Sequence, residues 1–167
     1  MYDLQTLSDR LEVEEHIMHY PHLLDSGRID EVAAAIFAED GVLQFGELRL
    51  EGREQIGENF LKMTAMLNGT SHNVTNLIIT VDGETARANY RILAWHWFKS
   101  EADDPLAEQQ MLAVGGYEDE LVRTADGWRV KYRRSYALGS GIGIGHPVPE
   151  EFRDFMEMIS HARITWR

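Results

Sequence analysis

Apolar positions recur at two different periods along the chain. From residue 3 to about residue 26, Leu4, Leu7, Leu11, Ile17 or Met18, and Leu24 fall close to one helical face, with Asp9, Glu12, Glu15 and His16 between them. Pro21 removes one backbone donor, which predicts a kink near Met18–Pro21, and Ser26-Gly27 supplies a left-handed stop. Ile29, Val32, Ala33, Ile36 and Phe37 form the apolar stripe of a short second helix. Asp40-Gly41 predicts a turn into a strand over Val42–Phe45, and Gly46-Glu47 a hairpin into Leu48–Glu51. A third helix over Gly52–Leu67 carries Ile56, Phe60, Met63 and Leu67 at helical spacing, and Asn68-Gly69 ends it.

After that the period changes to two. Strands are predicted over Thr70–Val81, Thr85–Phe98, Gln110–Arg123 and Trp128–Leu138. Asp82-Gly83 and Asp126-Gly127 are the hairpin turns, and Lys99–Glu108 is a polar loop. Helices followed by an antiparallel meander predict an α+β fold, with the helices on one face of a curved sheet. The long strand sorts its side chains accordingly. Ala86, Ala88, Tyr90, Ile92, Ala94, His96 and Phe98 lie toward the helices and a cavity, while Arg87, Asn89, Arg91, Leu93, Trp95 and Trp97 lie on the other face. Large aromatics beside arginine on an outer face have the composition of an oligomer contact. Residues 139–149 are too rich in Gly and Pro for regular structure, and an amphipathic helix is expected from Pro149 to about Ala162. The expected organisation is a single domain, with its body over residues 1–138 and an arm plus C-terminal helix over 139–167.

Composition narrows the function classes. With 28 acidic against 16 basic residues, the net charge of −12 opposes binding to a phosphate backbone or an anionic membrane surface. No cysteine is present, so disulfides, thiolate nucleophiles and cysteine-held metals are excluded. A cysteine-free chain without a signal-like start or a long apolar run is expected to be cytoplasmic.

Several motifs together carry a family likeness. They are the Leu-Asp25-Ser-Gly-Arg-Ile-Asp stretch, Phe37-Ala-Glu-Asp40-Gly, Gly52-Arg-Glu-Gln-Ile56, Ser71-His72-Asn-Val-Thr-Asn76, Val81-Asp-Gly-Glu-Thr-Ala86 and Arg123-Thr-Ala-Asp-Gly-Trp128. Over roughly residues 4–138 the chain resembles the SnoaL-like branch of the superfamily related to nuclear transport factor 2. The resemblance implies a cone of bent antiparallel sheet wrapped by helices around a deep pocket. It implies no single activity, because that superfamily holds dehydratases, isomerases, polyketide cyclases, a dehydrochlorinase and non-catalytic dioxygenase small subunits.

The resemblance also implies a site. Asp25 and His72 sit where scytalone dehydratase and hexachlorocyclohexane dehydrochlorinase carry their catalytic Asp–His pair, and His96 is similar in placement to a second pocket histidine of the dehydratase. The chain departs from both patterns nearby. Leu24 stands where the dehydratase has a tyrosine, and Tyr20 where the dehydrochlorinase has a lysine. An imidazole oriented by a buried carboxylate is a suitable base near neutral pH. Tyr20, Tyr90 and Tyr117 are the candidate substrate-binding hydroxyls. The expected function is a cofactor-independent, dehydratase-like lyase or an isomerase acting on a small cyclic or aromatic compound. The alternative is a non-catalytic binding or assembly subunit, which a separation of Asp25 and His72 beyond roughly 3.5 Å would favour. No metal, nucleic-acid or membrane site is expected. A homo-oligomer is, with a trimer ahead of a dimer because the relatives named assemble as trimers.

Other constellations carry less. His16, His19 and His22 share helical spacing, but Glu15 and His16 suit a solvated helix face. Ser71 and His72 are strand neighbours and face opposite ways, which opposes a Ser–His nucleophile. Arg133-Arg134 can bind an acid, but reads more simply as an exposed edge pair.

Overall fold

The first helix starts where Asp3 caps it, its side chain accepting from the Thr6 N–H at 2.7 Å. In the computed structural model, which describes residues 2–99, 110–137 and 142–144, this helix α1 spans Leu4–Asp25 and runs through Pro21. Gly27, at φ 74°, then turns the chain out of it. The buried face keeps Ile17 and Leu24 of the expected stripe but not its N-terminal leucines. Leu4, Leu7, Leu11 and Met18 are exposed, and Asp9, Val13, Ile17, Tyr20, Leu23 and Leu24 are buried. A polar residue can join the inner face because its partners are there. Gln5 donates to Asp9 at 2.8 Å, and Arg123 forms an ion pair with the same carboxylate. His16 also leaves solvent, donating through Nε2 to the Ile36 carbonyl at 2.9 Å.

Helix α2 is Ile29–Ile36, and its Val32, Ala33 and Ile36 are buried as their spacing predicts. Strand β1 is Phe37–Phe45. Asp40-Gly41 is therefore not a turn before a strand but an irregularity within one, where the register on the neighbouring strand shifts between Phe37 and Val42. A Cβ at Gly41 would lie 2.9 Å from the Ala38 carbonyl oxygen, so the close approach needs glycine. Strand β2, Leu48–Glu51, completes the hairpin. Helix α3 is Gly52–Thr64, one turn shorter than expected. Asn68-Gly69 lies inside strand β3, Leu67–Asp82, because pairing with the next strand starts at Leu67↔Phe98.

Strands β4 (Thr85–Phe98), β5 (Gln110–Thr124) and β6 (Gly127–Ala137) follow. With β3 they make a four-strand antiparallel meander, and β1 adds to β6 in parallel, giving the order β2-β1-β6-β5-β4-β3. Residues Ile142–Ile144 form a short strand, β7, on β5, so the arm is not wholly irregular. The expected loop residues 100–108, the rest of the 139–149 arm and the C-terminal helix lie outside the described residues. Among the described residues no helix is long and apolar enough to cross a membrane.

The inner face of β4 is as its alternation predicts: Ala86, Ala88, Tyr90, Ile92, Ala94 and Phe98 are buried against the helices. Each large side chain there contributes about 1.5–3 kcal/mol by leaving water. Strand β6 departs from simple alternation. Val130 lies opposite Leu121 and Tyr132 opposite Glu120, so Lys131 is an extra residue. The inward positions therefore change from Trp128 and Val130 to Arg133, Ser135 and Ala137. This corrects the reading of Arg133-Arg134 as an exposed edge pair: Arg133 is fully buried, and only Arg134 faces out, 2.7 Å from Glu118.

Candidate active site

The end of α1 and the start of β3 meet through one carboxylate. Thr70 and His72 are two residues apart on a strand, so both side chains point to the helix side. Asp25 Oδ1 lies 2.7 Å from His72 Nδ1 and accepts from the Thr70 hydroxyl at 2.9 Å. Its Oδ2 accepts from the His72 backbone N–H at 2.8 Å. Strand β3 is a sheet edge, so this last bond also occupies an edge donor. Farther along the same strand, Arg10 occupies an acceptor instead, donating to the Ile79 carbonyl.

Burial pushes the Asp25 carboxyl up, but the hydrogen bonds from His72 and Thr70 outweigh it and hold it below its ordinary 3.8. An ionised carboxylate only accepts, so Nδ1 of His72 carries a proton, and in the neutral ring the lone pair is on Nε2. The His72 side chain is 6% exposed and stands in the wall of a cavity. Its ring is 5.7 Å from His96 and 6.4 Å from Tyr20, centroid to centroid. His96 is pushed down to about 4, chiefly by burial and next by the neighbouring His72, so it is neutral near pH 7.

The cavity holds the centre of a water-sized sphere over about 120 Å³. One water needs roughly 10–15 Å³ on that measure, so there is room for a small organic molecule. Leu24, Phe45, Phe60, Met63, Ile92 and Met111 make its walls apolar. The polar side chains that reach it include Thr70, His72, His96, Tyr20, Tyr117 and Ser135.

The sequence-selected residues thus fall in two groups. Asp25, His72, His96, Tyr20 and Tyr117 come together, with the Tyr20 and Tyr117 hydroxyls 3.4 Å apart. Tyr90 stands behind Tyr117, with ring centroids 5.5 Å apart. Its hydroxyl donates to Asp119 at 2.9 Å and accepts from Arg133 Nη2 at 2.7 Å. Arg133 also grips both Asp119 oxygens, at 2.8 and 2.7 Å, and its guanidinium lies 4.3 Å from the Tyr20 ring centre. Burial favours the neutral guanidine, but Asp119 and the tyrosines outweigh it and keep Arg133 charged. Burial raises all three phenols, so each keeps its proton at neutral pH. Periodicity alone missed Thr70 and the Asp119–Arg133 pair. The spacing Thr70-x-His72 is a signal for the first; the second depends on the bulge at Lys131.

Comparison with known proteins agrees with this architecture. A family model described as the SnoaL-like domain matches residues 5–134. The protein belongs to the SnoaL-like domain family. An uncharacterized protein of Mycobacterium tuberculosis is 29% identical over 133 residues, covering 78% of this chain and 86% of that one. A proposed aromatic ring hydroxylase from Novosphingobium aromaticivorans is 26% identical, with a TM-score of 0.72 over 83% of this chain and 94% of its own. A proposed scytalone dehydratase from the same organism is 23% identical, with a TM-score of 0.71 over 86% and 91%. A hexachlorocyclohexane dehydrochlorinase is 17% identical, with a TM-score of 0.71 over 89% and 99%. At such identities the last two likenesses concern the SnoaL-like fold alone.

Proposed function

We propose that this SnoaL-like protein is a cofactor-independent lyase of the dehydratase type, or an isomerase sharing its first step. Its substrate is a small, neutral, mostly apolar cyclic compound. The observation that carries the reading is the 2.7 Å Asp25–His72 bond in the cavity wall, which leaves Nε2 to accept a proton. His72 takes a proton from carbon, and Asp25 stabilises the imidazolium formed. In an elimination the C–H electrons become the new double bond, the C–O bond breaks, and the departing oxygen leaves as water with the proton held by His72. In an isomerisation the same proton returns to another carbon. His96 is neutral at pH 7, so its part is a hydrogen bond to the substrate oxygen. Tyr20 and Tyr117 hold two hydroxyl protons, and at most one is used between them. The other is available to a carbonyl oxygen on which charge develops. The Asp25–His72 distance falls inside the limit beyond which a non-catalytic subunit would be favoured.

The test is a thermal-shift screen of neutral cyclic hydroxy ketones and aromatic polyketide-like compounds, followed by turnover of the hits. His72→Ala and Asp25→Asn should each lose turnover; near-normal rates in both sink the mechanism. A cytosolic setting fits the absence of cysteine.

The same reading includes a homo-oligomer formed through the outer sheet face, a trimer ahead of a dimer. That face is graded. Leu112 lies opposite Trp95 and Val114 opposite Leu93 at one end, while Arg87 lies opposite Glu120 and Glu118 opposite Arg134 at the other. The aromatic end has the composition of an interface centre. A monomer at micromolar concentration refutes this, and an oligomer that survives Trp95→Glu with Trp97→Glu places the contact elsewhere.

A further inference from the structure

Asp25 receives two more donors than an Asp–His pair requires. Its Oδ2 is fixed by the His72 backbone N–H, and its Oδ1 accepts from both the His72 ring and the Thr70 hydroxyl. Two of these donors, the backbone N–H and the Thr70 hydroxyl, do not belong to the imidazole. They hold one oxygen each and so fix the plane of the carboxylate whatever the ring does. The arrangement follows from the strand: residues at i and i+2 share a face, and the edge N–H at His72 is left for a side chain from α1. Thr70 also lines the cavity, so its hydroxyl proton has an alternative partner in any bound oxygen, yet it lies on Asp25.

We propose that Thr70 is a positioning residue for the Asp25–His72 pair, presetting the carboxylate so that the imidazole is held with its proton on Nδ1 and its base nitrogen toward the cavity. This rests on His72 being the base in the proposed function, but the geometry it claims is measurable without a substrate. The hydroxyl also withdraws part of the carboxylate's charge from the imidazole. Its loss leaves Asp25 a stronger partner for imidazolium, so the proton affinity of His72 should rise, about threefold or half a pH unit. The carboxylate is also freer to rotate, so the neutral ring should populate both tautomers.

The experiment is nitrogen-15 NMR of histidine-labelled protein across pH. Wild type should show His72 as a single Nδ1–H tautomer. Thr70→Val should raise its titration midpoint by about half a unit and mix the tautomers, and Thr70→Ser should restore both. Thr70→Cys, similar in size and a weak donor, should shift the same way by less, and serves if the valine variant does not fold. Wild-type midpoint and tautomer in Thr70→Val, or in Thr70→Cys if that is the folded variant, overturn the proposal, even if the melting temperature falls. The shift together with near-normal turnover of a confirmed substrate by His72→Ala upholds the positioning role and refutes the proton-abstraction reading.

Discussion

Two carboxylates in this protein each hold a basic side chain, and they do opposite things with it. Asp119 and Arg133 are cross-strand partners with no exposed side-chain surface, and each Asp119 oxygen is within 2.8 Å of the guanidinium. Asp25 and His72 join a helix end to an edge strand, with side chains 29% and 6% exposed. The first pair sits behind the tyrosines, outside the cavity lining; the second puts His72 in the cavity wall. An ion pair sealed in the core fixes geometry and has no proton to move. A pair at the border of core and cavity keeps one nitrogen available. On the proposed function, access, more than residue type, separates the structural pair from the one assigned the chemistry.

The sharpest way to break this comparison is to remove one partner of the sealed pair. Asp119→Ala should cost about 3–5 kcal/mol, because a buried guanidinium loses its counter-charge. The double variant Asp119→Leu with Arg133→Leu should cost less than the two single changes added together. Denaturant unfolding measures both. Glu118→Ala, at a half-exposed pair with Arg134, is the control and should change stability by no more than about 1 kcal/mol.

The open pair should respond in activity first. On a confirmed substrate, His72→Ala should lower turnover by about 10²–10⁴-fold, the usual contribution of a positioned base. Its unfolding midpoint should move much less than that of Asp119→Ala. Equal losses of stability in the two variants would erase the distinction.

A third difference appears with pH. His16 and His96 are each pushed from 6.5 down to about 4, chiefly by burial. Between those values the unfolded chain binds protons that the folded chain refuses, so stability is full above pH 6.5 and declines toward pH 4. Each histidine contributes a slope of up to about 1.4 kcal/mol per pH unit in that window. Asp25 adds a separate limb: its hydrogen bonds are fully present above 3.8 and are lost as pH falls through its lowered value. His16→Gln keeps a donor for the Ile36 carbonyl but does not titrate. Unfolding curves at several pH values should show a flatter slope between pH 4 and 6.5 for this variant; an unchanged slope excludes His16 as a source.

Much of this was legible in the sequence, and the failures share a cause. Local spacing was enough for α2, for the inward face of β4 and for the strands of the meander. It was enough to suggest Asp25, His72 and His96 only with the help of family likeness, since residues 25 and 72 are joined by no local rule. The N-terminal leucines of α1 misled because a helix turns to its core the face whose partners are there, and Asp9 has Gln5 and Arg123. Arg133 was misread because one extra residue, Lys131, reverses which side of β6 faces in. Register irregularities and long-range polar partners leave no mark at the periods of 2 and 3.6.

The smallest expected effect is the finest test, because it compares residues of one type. Tyr90 and Tyr20 are both buried phenols whose pKa is raised mainly by burial, yet their hydroxyls are engaged differently. The Tyr90 hydroxyl makes bonds of 2.9 and 2.7 Å to Asp119 and Arg133, so Tyr90→Phe leaves charged groups short of a partner. That should cost about 1–3 kcal/mol. Among the described residues the Tyr20 hydroxyl has one hydrogen-bond contact, at 3.4 Å to Tyr117, which is long for a bond between oxygens. Tyr20→Phe should therefore change stability by less than about 0.5 kcal/mol. Its ring would stay over the Arg133 guanidinium, so the wall of the cavity keeps its shape. If the free phenol proton serves the substrate oxygen, turnover should still fall, by up to about 10²-fold, less if Tyr117 takes over. Unfolding and turnover measured on the same two variants decide the matter: a Tyr20→Phe protein that is as active as wild type leaves the hydroxyl pair with no part in the chemistry.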